Sequence, residues 1–168
     1  MGYKWGIDLG GTKIEGVILD GNNDLAVVER LRVPTEQEKG YTHILSQIHL
    51  VIKNLQEKTG LTPTRIGMGT PGALDSKTGE LKNCNTQCLI GRTIKEDIES
   101  LVGVPFRITN DANCFAMAEA KMGVIKELDF VPKVVFGVIM GTGVGGGLVI
   151  DGEIIDGIHG IGGEWGHN

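Results

Sequence analysis

The residues of this chain best suited to chemistry gather around short glycine-rich turns. The first is Asp8-Leu9-Gly10-Gly11-Thr12-Lys13. Gly10 and Gly11 carry no Cβ, so an anion's oxygens can approach the backbone amides, and successive N–H groups in such a turn form a nest. Thr12 adds a hydroxyl donor, Lys13 a positive charge, and Asp8 a carboxylate able to hold Mg2+ through water. That set suits the grip of a polyphosphate. Gly6 opens a stretch, residues 6–13, close to Walker spacing, but Thr12 and Lys13 stand in the wrong order. Residues 14–19 also alternate as a strand where that loop needs a helix. An ordinary hairpin explains Gly-Gly equally well, so the turn alone decides nothing.

A second glycine run, Gly141-Thr142-Gly143-Val144-Gly145-Gly146-Gly147, contains GxGxxG at 141, 143 and 146. The dinucleotide fingerprint requires a helix next, whereas Leu148-Val149-Ile150 reads as strand. What survives is a second phosphate turn, using Gly141, Thr142, Gly143, Gly145 and Gly146, that faces the first across a cleft. Thr109-Asn110-Asp111-Ala112-Asn113 marks a strand end and a helix start. Asn110 or Asp111 could simply cap the helix. Alternatively Asp111 is a general base that deprotonates a substrate hydroxyl, as in phosphoryl transfer. The same edge carries Gly10-Gly11 and Pro71-Gly72, and crevices beyond strand C-termini are where open α/β sheets bind ligands. That convergence favours the base. Glu164 and His167 stand on the glycine-rich run 162–167, which can wrap a small polar ligand or be a frayed tail.

The elements that position these groups follow from hydrophobic patterning. Residues 4–8, 13–19 and 25–32 read as strands, separated by Gly-Gly-Thr and by a turn cluster at 20–24. Residues 41–58 are helical by period, with Ile44, Ile48, Val51, Ile52 and Leu55 on one face and Gly60 closing. A strand over 64–68, a helix through Ile94, Ile98 and Leu101, a strand over 106–109 and a helix over 112–122 complete an α/β unit. Its order implies a mixed sheet flanked by helices. Then the pattern restarts with a buried strand over 134–140, a turn over 141–147, a strand over 148–150 and another turn. The expected organisation is an N-terminal lobe over 1–121, a connection over 122–133 and the start of a second lobe over 134–168. Roughly 35 residues cannot build an independent core, so the second lobe is expected to be truncated or completed by something else. Its unpaired edge invites dimerisation, and a homodimer is the expected assembly.

Composition narrows the classes. The chain has 168 residues, 40% of them hydrophobic and 22% charged, which suits a globular protein. A net charge of −5 argues against a nucleic-acid surface. The apolar runs are far too short for a membrane span, and no signal peptide is visible. Cys84, Cys88 and Cys114 lack CxxC spacing, so neither a disulfide framework nor a zinc site is expected from them. A reducing cytoplasm fits. The 27 glycines cluster at 10–11, 67–72, 141–147 and 157–166, where the backbone must approach something closely.

Taken together, DLGGTK (8–13), GTPG (69–72), NDANCFAMAE (110–119), GTGVGGG (141–147) and GEWGH (163–167) resemble the ROK family of repressors, open reading frames and sugar kinases. The resemblance spans almost the whole chain in family order, and is similar to the bacterial fructokinase and N-acetylglucosamine kinase branches. It implies an actin-like, RNase H-like ATPase fold, with one complete lobe and the first strands of a second. It also implies ATP- and Mg2+-dependent phosphorylation of a hexose, usually at the 6-hydroxyl, with Asp111 as base. Pro71, Gly72, Asn85, Asn110, Glu164 and His167 would line the sugar, and His167 would join downstream cysteines on a structural zinc. The chain by itself is expected to be inactive. The alternatives are an N-acetylhexosamine kinase of the same family and a sugar-sensing transcriptional regulator. The regulator would need a DNA-binding unit for which a strand beginning at Lys4 leaves no room.

Overall fold

The structure, a computed structural model, describes residues 2–140, 144–158 and 160–166. Three strands open the chain, β1 (Tyr3–Leu9), β2 (Lys13–Asp20) and β3 (Ala26–Pro34). Asp24 and Leu25 take positive φ angles of 44° and 58° to close the second turn, so β3 starts one residue later than composition suggests. There follow α1 (Tyr41–Thr59), β4 (Ile66–Thr70), the small hairpin β5 (Ala73–Leu74) and β6 (Leu81–Lys82), α2 (Ile94–Val102), β7 (Phe106–Asn110) and α3 (Asp111–Met122). Five of these strands form one sheet in the order β3-β2-β1-β4-β7. β1 runs antiparallel to β2 but parallel to β4, and β4 parallel to β7. This is the mixed sheet the element order implied.

Alternation along the strands divides the sheet into an apolar and a polar face. Trp5, Ile7 and Leu9 of β1 and Ile14 and Ile18 of β2 are buried, together with Ile44, Ile48, Val51, Ile52 and Leu55 of α1 and Ile94 and Ile98 of α2. Gly16 makes the contact close, because a Cβ there would stand 2.8 Å from Leu55 and 3.1 Å from Val51. On the opposite face Asp8 pairs across strands with Glu15, and Glu15 with Arg32, to which it is also ion-paired. Asp8 therefore belongs to the polar side of the sheet.

The second sheet has three antiparallel strands in the order β10-β9-β8, with β8 at Val134–Met140, β9 at Val144–Ile150 and β10 at Glu153–Ile154. α3 covers one of its faces through small residues. A Cβ at Gly147 would lie 2.5 Å from the Ala112 carbonyl oxygen and 2.9 Å from the Ala116 Cβ, and one at Gly137 2.8 Å from Ala116. Two sequence expectations change here. β8 is half-buried rather than buried, with Val134, Phe136 and Met140 exposed at 57%, 49% and 76%, because α3 covers one side of the sheet. Gly145, Gly146 and Gly147 belong to β9 rather than to a turn, paired with Ile139, Val138 and Gly137. They are glycines where α3 and the loop of residues 163–165 press on the strand. Among the described residues no helix is long and apolar enough to cross a membrane.

Filling that contact should be costly. Gly147→Ala is expected to destabilise the chain by about 1–3 kcal/mol through overpacking, read as a lowered urea midpoint. Gly2→Ala, where an added Cβ meets nothing within 4 Å, should leave the midpoint unchanged.

Candidate active site

The three parallel strands β1, β4 and β7 end side by side. Their register aligns Asp8 with Gly69, Gly69 with Thr109, and Thr70 with Asn110. At the end of β7 the Asn110 side chain caps α3, accepting the N–H of Ala112 at 2.8 Å and of Asn113 at 3.3 Å. Because Asn110 takes the cap, Asp111 becomes the first helical residue, and its Oδ1 accepts the Ala112 N–H at 2.8 Å. Of the two residues the sequence offered as caps, Asn110 takes the role. An acid in the first turn is also favoured by the helix dipole.

Gly69 brings this helix start onto the sheet, since a Cβ there would stand 3.3 Å from Cys114 Sγ and 3.9 Å from Asp111 Cα. Acids crowd the same place. Burial first, then the Asp111 and Glu15 carboxylates, push Asp8 above its ordinary pKa, against the pull of Lys13. Burial, then Asp111, Asp8 and Asp156, lift the Cys114 thiol to about 11, which keeps it protonated and inert at neutral pH. Cys84, Cys88 and Cys114 are free thiols. Among the described residues no three acidic, histidine or cysteine side chains converge tightly enough to hold a metal ion.

The first glycine turn is a closed hairpin. The Gly10 N–H donates to the Lys13 carbonyl at 3.0 Å, and a Cβ on Gly10 would sit 2.9 Å from that oxygen. Gly10 is therefore committed to shaping the turn, and its amide is not available to an anion as the sequence suggested. A Cβ on Gly11 would meet only Thr86 Oγ1, at an ordinary van der Waals distance of 3.8 Å. Gly6, expected with this turn, lies inside the sheet opposite Val17 and Gly67. A residue that patterning missed holds the turn from behind. Fully buried Thr35 donates its hydroxyl to the Gly10 carbonyl at 2.6 Å and its N–H to the Thr12 carbonyl at 3.0 Å. No local signal marks it, because its partners lie 25 and 23 residues away.

The polar platform forms beside Asp111. Gly72 takes φ 103°, and a Cβ there would fall 2.5 Å from the Lys82 carbonyl oxygen, so only glycine fits. Its own carbonyl accepts from Asn110 Nδ2 at 3.3 Å. Pro71 precedes it at the end of β4, and Asn85 is exposed on the loop whose Thr86 faces the first turn. Glu164 arrives from the second sheet, where a Cβ on Gly145 would stand 3.4 Å from its Oε2 and 3.6 Å from the Ala112 Cβ. A cleft of about 150 Å³ opens next to this corner, lined by Ala73, Leu74, Ser76, Thr109, Asn110 and Asp156 among others. The structure thus unites Asp8, Pro71, Gly72, Asn110, Asp111 and Glu164 around one strand edge. Gly141, Thr142, Gly143 and His167 lie outside the described residues.

The Asp8 environment makes a stability prediction. With its native pKa raised above 3.8, protonated Asp8 favours the fold below that value, and this stabilisation is lost as pH rises through the native pKa. Ionised Asp8 therefore strains the fold at neutral pH. Asp8→Asn should stabilise the fold at pH 7 by less than about 1 kcal/mol, read as a raised urea midpoint, since the carboxylate reaches water. The gain should vanish below pH 3.8.

The ROK family profile matches residues 4–168. An N-acetyl-D-glucosamine kinase from Yersinia enterocolitica is 37% identical over 163 residues, covering 97% of this chain and 51% of that protein. A ROK family glucokinase from Streptomyces griseus, solved with glucose and AMPPNP, superposes with a TM-score of 0.83 at 27% identity, over 99% of this chain and 50% of its own. A ROK family transcriptional regulator, a homologue of the E. coli MLC protein, shares the fold at TM-score 0.75 and 21% identity, over 99% and 41%. The chain spans about half the length of the curated relatives it matches. The mixed sheet, with its second sheet beyond α3, is the part of the actin-like ATPase fold that these kinases share. On motif order, topology and profile alike, the chain belongs to the ROK family.

Proposed function

We propose that the protein is an ATP-dependent kinase of hexose-type sugars in which Asp111 is the general base. The observation that carries this reading is the shared strand edge that sets Asp111 beside Asp8 and the phosphate turn on one side and beside Gly72, Asn110 and Glu164 on the other. Asp111 would take the proton of the attacking hydroxyl, while Asn110, Asn85 and Glu164 orient the ring. Gly11, Thr12 and Lys13 would meet the phosphates. One carboxylate with retained waters suits Mg2+, so Asp8 would hold such an ion through water. ATP supplies the phosphoryl group, and its Mg2+ neutralises charge on the phosphates. His167 would serve the sugar and a structural zinc, and Gly141, Thr142 and Gly143 the second phosphate turn.

The sugar is either a plain hexose, phosphorylated at its 6-hydroxyl, or an N-acetylhexosamine. The Yersinia relative favours the second and the Streptomyces neighbour the first. A nucleic-acid role has less support, because the regulator is similar at 21% identity, a level that speaks for fold alone.

A coupled ATP-turnover assay on the intact gene product, run with glucose, fructose and N-acetylglucosamine, tests the reading. Turnover with at least one sugar is expected, and Asp111→Asn should cut kcat by about 10²–10⁴-fold with little change in the KM for ATP. Full rate in Asp111→Asn, or no turnover with any sugar, would overturn it. In the same assay Thr35→Val should raise the KM for ATP about three- to tenfold by freeing the Gly10 carbonyl. The KM for sugar should hold, and Thr35→Ser should restore the native value.

A further inference from the structure

We propose that Asp156 is a positioning residue that locks the Asn110–Asp111 corner to the loop carrying Glu164. This rests on the kinase reading for its functional meaning but not for its geometry. Asp156 follows β10 and belongs to the second sheet's side of the molecule. Its Oδ1 accepts two hydrogen bonds from the first lobe and α3, from Asn113 Nδ2 at 3.0 Å and from Thr109 Oγ1 at 3.3 Å. Thr109 and Asn113 bracket Asn110 and Asp111 in sequence, and Asn113 Nδ2 also reaches Thr109 Oγ1 at 3.4 Å. One carboxylate oxygen thus ties the last residues of β7 to the first turn of α3.

The same residue organises the loop behind it. The Asp156 carbonyl accepts the Gly162 N–H at 2.7 Å, and the Ile161 carbonyl accepts the Glu164 N–H at 3.0 Å. The loop is pressed further onto the first lobe by Ser76, whose hydroxyl donates to the Ile158 carbonyl at 3.4 Å. It is also pressed there by Gly160, where a Cβ would lie 3.0 Å from the Leu74 carbonyl oxygen. Asp156 therefore links two groups that must act together, the acid at the head of α3 and the platform glutamate.

Asp156 lies in the same neighbourhood as Asp111 and Asp8, all three acting on the Cys114 thiol. Asn113 is 2% exposed, and its Nδ2 would lose its shorter hydrogen bond without Asp156. Misplacing a reacting group by about 1 Å costs up to 10²-fold in rate, which is the scale of effect at stake.

The test compares Asp156→Ala with Asp156→Asn in the intact gene product. Asp156→Ala should lower kcat about 10- to 100-fold and raise the KM for sugar, while leaving the KM for ATP and the melting temperature near native. Asp156→Asn, whose amide oxygen can accept both hydrogen bonds, should stay within about threefold of native. Hydrogen exchange supplies a readout independent of turnover: the Ala112 and Asn113 amides should exchange faster in Asp156→Ala and at the native rate in Asp156→Asn. Unchanged exchange at those amides in Asp156→Ala would overturn the proposal whatever the activity. So would a loss of kcat that tracks a fall in melting temperature and that Asp156→Asn fails to rescue. A native protein inactive on every sugar but showing the exchange difference would instead sink the kinase reading and leave the lock in place.

Discussion

The parallel register of β1, β4 and β7 is the constraint on which the site depends. It sets Asp8, Gly69 and Thr109 in one row across three strands. Since Gly69 has no side chain, the first turn of α3 can come down onto the sheet, with Cys114 and the Asp111 backbone within van der Waals reach of that position. A larger residue would hold the helix away, and Asp111 with it. From this one approach follows the nearness of Asp111, which after burial adds to raising the Asp8 pKa.

α3 also explains how the glycine runs are used. Its Ala112 and Ala116 meet Gly137 and Gly147 at distances where no Cβ fits, so the second sheet is held by backbone contact rather than by interdigitated large side chains. Close backbone packing of this kind transmits position well, because there is little side-chain freedom to absorb a shift. The loop after β10 is anchored to that same helix and to β7 through Asp156, which places Glu164 near the helix start. The polar platform thus inherits its geometry from packing outside it.

The features gathered at this edge work against the stability of the fold. Asp8 and Asp111 repel one another, Gly72 is restricted to a left-handed φ, and glycines weaken β9 from within. The buried body of the lobe offsets these costs. Ile14, Ile18, Ile44, Ile48, Val51 and Leu55 are fully buried, and α1 and α2 close one face of the sheet. The candidate site sits on the opposite, polar face, which carries Asp8 and Glu15.

Much of this was written into local sequence. Periodicity placed α1 by its Ile and Leu stripe, apolar runs between turn residues placed β1 and β2, and glycine beside Asp, Asn and Thr marked the strand edge of the candidate site. Those signals are local because a helix face or a strand face is fixed by residues a few positions apart. The run of glycines at 145–147 reads in sequence as a turn, yet these residues pair within β9, where α3 presses on the strand. Tertiary structure alone decided that, as it decided that Asn110 rather than Asp111 caps α3. It also brought Thr35 behind the first glycine turn and Asp156 onto Asn113, partners separated by 25 and 43 residues. Sequence determined which groups the protein owns and the elements that carry them. Which of those groups meet was left to register and packing, where contacts between distant residues leave no periodic trace.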